Sequence, residues 1–162
     1  MIRTIIDKLA DTLQRAELGI DGQPLRFVYA DEGLQNIIIE SGNVPFAAVV
    51  PIASSAVYAD DGRYHERITV AVFFGDCMVD TGSDYDAIEN ERIIDTCKRR
   101  AFMWLTSLHL PMPNRELSFV SVTTAERGYL RLDGNYTGFA VVVTLDEVSG
   151  IGLCEWSELQ TK

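Results

Sequence analysis

Apolar and polar positions alternate with two different periods along this chain, and the periods divide it into helices and strands. From residue 2 to 18, Ile2, Ile5, Ile6, Leu9, Leu13 and Ala16 recur at three- and four-residue steps, with Arg3, Asp7, Lys8, Asp11, Gln14 and Arg15 on the other faces. That spacing predicts an amphipathic helix, stopped by Gly19 and the turn residues Asp21, Gly22 and Pro24. Leu25 to Tyr29 reads as a short strand. Glu32 to Glu40 fits a short helix or a strand, although three consecutive isoleucines favour extended backbone because β-branched side chains are stiff in a helix. Phe46 to Ile52 is an apolar run of strand length, and Pro51, lacking an amide donor, belongs at its end or on an edge.

Ala53 to His65 is small, polar and turn-rich. Asp60, Asp61 and Gly62 at its centre give a hairpin signal between strands. In the returning strand, Arg67 to Phe74, the residues Ile68, Val70, Val72 and Phe74 share one face, and Thr69, Ala71 and Phe73 the other. Both faces are apolar enough to predict a central strand covered on both sides. An acidic loop then leads into the longest helix the sequence can make, Asp84 to Leu108. Ile94, Cys97, Ala101, Trp104 and Leu108 form its core-facing stripe. Ser83 or Asp84 can cap it, acidic residues crowd its start, and Pro111 and Pro113 end it.

Leu117 to Thr124 alternates as a strand. Glu126 to Asn135, with Gly128, Asp133 and Gly134, reads as a loop or a twisted hairpin arm. Phe139, Val141, Val143 and Leu145 mark one face of a further strand, and Leu153 to Trp156 a short edge strand before a loose end at Ser157 to Lys162. Helix, strands, long helix, strands is the order of an α+β fold. The expectation is a largely antiparallel, twisted sheet with an N-terminal helix and one long central helix packed on it. Length fits one domain over 1–162, a core unit at 1–146 and a C-terminal extension at 147–162.

Charge narrows the function. Fourteen basic against 24 acidic residues give −10, which opposes adhesion to nucleic acid or to anionic membranes. No apolar run approaches a membrane span and no signal-peptide core opens the chain. Cys77, Cys97 and Cys154 are odd in number and widely spaced, which fits reduced thiols rather than a disulfide framework or a zinc knuckle.

Candidate chemistry is sparse. Asp76, Asp80, Asp84, Asp86 and Glu89 suggest a calcium loop, but the carboxylates are too widely spaced and Gly82 is misplaced, so they read as a solvated helix start. Cys97 on the core stripe reads as a small hydrophobe rather than a nucleophile for His65 or His109. Lys98, Arg99 and Arg100 read as a solvated face or a salt-bridging surface, too small a patch for nucleic acid against −10 overall. No catalytic, cofactor-binding or metal residue is assigned. Phe27, Tyr29, Tyr58, Tyr64, Phe73 and Tyr136 read by default as core or sheet surface, with a partner interface as a second use for Tyr58 and Tyr64, which flank the Asp-Gly turn.

The layout resembles the tail terminator, or tail completion, proteins of long-tailed bacteriophages. The resemblance lies in the N-terminal helix, the Val-Pro-Phe-Ala-Ala-Val-Val strand, the long turn into Arg67 to Phe74, the helix Asp84 to Leu108 and the closing segment Tyr129 to Leu145, over residues 1–146. It implies a non-enzymatic structural subunit that joins the tail tube to the head, assembled as a hexameric ring. The implied neighbours are tail-tube and head-completion proteins, with no cofactor and no sequence-specific DNA binding. The implied location is the virion tail, and the host bacterial cytoplasm during assembly. Contacts are expected on two arms, Ser54 to Tyr64 and Arg127 to Tyr136, through Tyr58, Asp60, Asp61, Arg63, Tyr64, Arg131, Asp133 and Tyr136. The competing expectations are a small-molecule-binding or enzymatic α+β domain of a bacterial cytoplasmic protein, with its pocket between the long helix and the sheet, and a bacterial interaction protein unrelated to phage.

Overall fold

The computed structural model describes residues 3–17, 26–29, 45–58, 60, 62–77, 84–110, 116–131, 135–147 and 151–152. They form α1 (Ile5–Glu17), β1 (Arg26–Tyr29), β2 (Phe46–Tyr58), β3 (Arg63–Cys77), α2 (Asp84–His109), β4 (Leu117–Arg131), β5 (Asn135–Glu147) and β6 (Ile151–Gly152). The expected α+β architecture is present. One sheet runs β1-β2-β3-β5-β4, with β6 beside the start of β3. Every pairing is antiparallel except β1 with β2. Residues 32–40, whose helix or strand character was left open, lie outside the described residues, as does the expected strand at 153–156.

α1 starts at Ile5 rather than at residue 2 because Thr4 caps it. Its hydroxyl accepts from the Asp7 amide at 3.2 Å, while an Asp7 carboxylate oxygen accepts from the Thr4 amide at 2.8 Å. This reciprocal pair satisfies two amides that a helix start leaves open, and the Thr4 hydroxyl and amide hold the Asp7 carboxyl below its ordinary range.

Both helices cover one face of the sheet. Cys97, Ala101, Trp104 and Leu108 are all buried there against Ile68, Val70, Val72 and Phe74 of β3 and Phe139, Val141, Val143 and Leu145 of β5, and Ile94 on the same stripe is buried too. Leu9 and Leu13 join from α1. The Trp104 indole lies 5.9 Å from the Phe74 ring and donates to the Thr12 hydroxyl of α1 at 2.9 Å. Thr12 in turn donates to the Leu9 carbonyl at 2.7 Å, so the buried N–H is satisfied and ties the two helices together.

The second face of β3 departs from the expected full cover. At one end Phe46, Ala48 and Tyr136 are buried, but Thr69, Ala71 and Phe73 of β3 and Val142 and Thr144 of β5 remain half-buried. Thr69 and Thr144 hydrogen-bond across the strands at 3.0 Å, and Arg67 grips Asp146 through two bonds of 2.6 and 2.8 Å. One face of the sheet is thus a core, and the other is only half-buried over its middle.

Four strands outrun their expected lengths. β2 passes through Pro51, with a bulge between Pro51 and Ala53, and continues to Tyr58. Pro51 is tolerated because β1 covers β2 only from Phe46 to Val49, so beyond that point β2 is an edge among the described residues. β3 begins at Arg63, and β4 and β5 pair out to Arg131 and Asn135, so the segment after Glu126 is a hairpin arm rather than a loop. Among the described residues no helix is long and apolar enough to cross a membrane.

Candidate functional site

The feature that stands apart from the core is the two-stranded arm built from the far half of β2 and the start of β3. The pairing Tyr58 with Tyr64 closes it. The turn needs Gly62, whose φ of +79° lies in the left-handed region that a side chain disfavours. Ile52, Ala53, Ser54, Ser55, Ala56 and Tyr58 are exposed on β2, as are Tyr64 and Glu66 on β3. Neither surface of the arm rests on the core. Ser54 donates to Glu66 at 2.8 Å, a local cross-strand bond that helps hold the two strands in register.

At its tip the Tyr58 and Tyr64 rings lie 4.9 Å apart while 61% and 62% exposed. Asp60 is exposed in the turn, and Arg63 is half-buried beside it. Four of the eight expected contact residues therefore gather at this tip. Asp61 and Asp133 lie outside the described residues. Arg131 closes the other arm by pairing with Asn135.

Tyr136 is a correction. It was expected on a contact surface, yet it is 6% exposed, its ring edge-on to Phe46 at 5.3 Å, and burial pushes its phenol up. Phe46 also lies against Phe73, at 6.1 Å. The reason is a pair of facing glycines, Gly75 and Gly138, which leave room over the strands for large rings. A Cβ on Gly75 would meet the Phe46 ring at 2.6 Å. The aromatics fill what the glycines vacate.

The chemistry weighed from the sequence is dispersed. Cys97 is fully buried, and burial pushes its thiol up to about 12. Such a thiol supplies almost no thiolate near neutral pH. His65 Nδ1 meets the Glu147 carbonyl at 2.8 Å, and the His109 ring rests 4.2 Å from Phe119. Asp76 accepts from the Cys77 amide at 2.8 Å, and Glu89 pairs with Arg92 at 3.0 Å along the helix. Among the described residues no three His, Cys, Asp or Glu side chains gather as a metal site would require.

Two cations were placed wrongly by the sequence. Arg100 was read with a solvated or salt-bridging run, but it is 6% exposed, and its Nε and Nη1 have no hydrogen-bond partner among the described residues. Lys8, placed on an outer face of α1, is buried and paired with Glu147. Spacing held the signal for Arg100, which lies three residues after Cys97 and four before Trp104, on the flank of the same stripe. No protein-family model matches this chain, and no curated protein matches it.

Proposed function

We propose that this chain is a non-enzymatic structural subunit of a phage or prophage tail. Its role is that of the tail terminator ring, which closes the head-proximal end of the tail tube and joins it to the head. Tail-tube and head-completion proteins are its partners, and the virion tail, after assembly in the host cytoplasm, is its location. The observation that carries this reading is the exposed arm with its paired Tyr58 and Tyr64 rings. Two large aromatics held together in water forgo the burial that normally stabilises them. Tyrosine is enriched in the buried centres of interfaces, where its ring packs and its hydroxyl finds a partner. The half-buried middle of the second sheet face, Thr69, Ala71, Phe73, Val142 and Thr144, offers a further surface. A formal charge of −10 suits a channel wall that must let DNA pass without holding it.

The double variant Tyr58→Ser, Tyr64→Ser removes the rings without touching the core. It should leave the melting temperature within a few degrees of the parent while weakening self-association by about 2 kcal/mol or more, roughly thirtyfold in dissociation constant. Sedimentation of parent and variant side by side reads this. Identical oligomers from both would remove the arm from the interface.

A second reading, a small-molecule-binding or enzymatic domain with its pocket between α2 and the sheet, draws on Arg100. A buried guanidinium with open donors is costly unless an anion meets it. In a pure scaffold, Arg100→Met removes a buried charge with two unpartnered nitrogens and should raise stability by about 1–3 kcal/mol. In the pocket reading, inorganic phosphate or acetate at fixed ionic strength raises the melting temperature of the parent and leaves the variant unmoved.

A further inference from the structure

We infer that successive copies of this chain join by β-strand pairing, the far half of β2 in one copy against β4 of the next. This deepens the ring reading and rests on it. Among the described residues, β2 pairs with β3 alone from Val50 to Tyr58, because β1 stops opposite Val49. β4 likewise pairs with β5 alone. Among the described residues the sheet thus ends in two unfilled ladders, whose N–H and C=O groups can take another strand.

The two edges match. Residues 50–58 and 117–125 are nine-residue stretches, and neither contains a charged side chain in a chain that is 23% charged. Ile52, Ser54 and Ser55 are exposed on the first, and Val120, Ser121, Val122 and Thr123 on the second. Edges that must stay alone are often guarded by lysines or inward charges, and these stretches have none. The guards they carry are Pro51 with the bulge beside it in β2 and two register shifts in β4.

Direction and facing also agree. β2 opposes β3, β3 opposes β5 and β5 opposes β4, so β4 runs antiparallel to β2 within one sheet. A second copy set beside the first in the same orientation therefore presents its β2 antiparallel to the first copy's β4. Its helices fall on the same side. The pairing uses two different surfaces, so it is heterologous and propagates head to tail until rotation closes it. The irregularities in β4 between Phe119 and Ser121 and between Val122 and Thr124 supply bending and twist at the joint. A curved row closes, whereas a flat one runs on.

The test uses the full chain in two single variants, Ser55→Cys and Thr123→Cys, mixed under mild oxidation and mapped by peptide mass spectrometry, with Ser54→Cys and Ser121→Cys covering a one- or two-residue difference in register. The expected product links the β2 cysteine of one variant to the β4 cysteine of the other and appears only in the mixture. Hydrogen exchange on the unmodified chain is the second readout. Amides of both 52–57 and 120–124 should slow about tenfold or more between dilute and concentrated protein. Association with only β4-to-β4 links, or with neither edge protected, overturns edge pairing while leaving the ring reading standing. A chain that stays monomeric overturns both.

Discussion

Trp104→Ala is expected to cost about 3–5 kcal/mol, lowering the melting temperature by roughly 6–20 °C. The indole is fully buried at the centre of the helix-to-sheet contact. Its loss removes the packing against Phe74, 5.9 Å away, and leaves a cavity between α2 and β3 that rigid strands cannot fill. It also removes the donor to the Thr12 hydroxyl, the bond that ties α1 to α2. Trp104→Phe separates these effects. It keeps most of the ring and deletes the N–H, so it should cost about 1–2 kcal/mol, because Thr12 still donates to Leu9. Chemical denaturation with fluorescence and circular dichroism measures both variants. A loss below 1 kcal/mol for the alanine variant would mean that α2 does not lie on the sheet by this face.

Gly138→Ala is the second large effect, and its cause is the backbone. A Cβ at Gly138 would stand 1.9 Å from the Phe74 carbonyl oxygen and 2.9 Å from the Gly75 Cα. Neither atom can retreat as a side chain could, since both belong to β3, paired with β5 from Arg67 to Cys77. Relief requires opening that ladder at the facing glycines. The expected cost is about 3 kcal/mol or more, with a fall of roughly 6–12 °C in melting temperature. The disruption should reach Phe46 and Tyr136, whose rings pack beside the same opening. A variant within 1 kcal/mol of the parent would contradict the register of β3 on β5 at this point.

The parts of the fold legible from sequence are those in which one face is fully buried and the other is not. α2 announced its stripe from Ile94 to Leu108, and β3 its alternation from Ile68 to Phe74, because burial imposes a period on the residues that satisfy it. The arm carried no such period. Ile52 to Ala56 are exposed whichever way they point, so nothing selects alternation there, and a thirteen-residue strand looked like a short one followed by a turn. Pro51 reinforced that reading, since its tolerance depends on where β1 stops, a fact of tertiary structure.

The contact residues split along the same line. Tyr58, Asp60, Arg63 and Tyr64 are brought together by a local hairpin, which a turn signal can reveal. Tyr136 is buried by its pairing opposite Cys77 and by Phe46, which no local pattern encodes. Arg100 was misread through its neighbours in sequence, Lys98 and Arg99, when its neighbours in space on the helix are Cys97 and Trp104. Charge runs describe a surface only after the helical wheel has been drawn through them.

The central claim is that this chain assembles with itself through an exposed arm and open sheet edges. Its most direct test is the mass of the full-length protein in solution, by sedimentation equilibrium and native mass spectrometry over a wide concentration range. The account predicts one closed species of fixed stoichiometry, six copies by the resemblance to tail terminator rings, in equilibrium with monomer. A strict monomer at the highest concentration reached, with and without tail-tube protein, would contradict it.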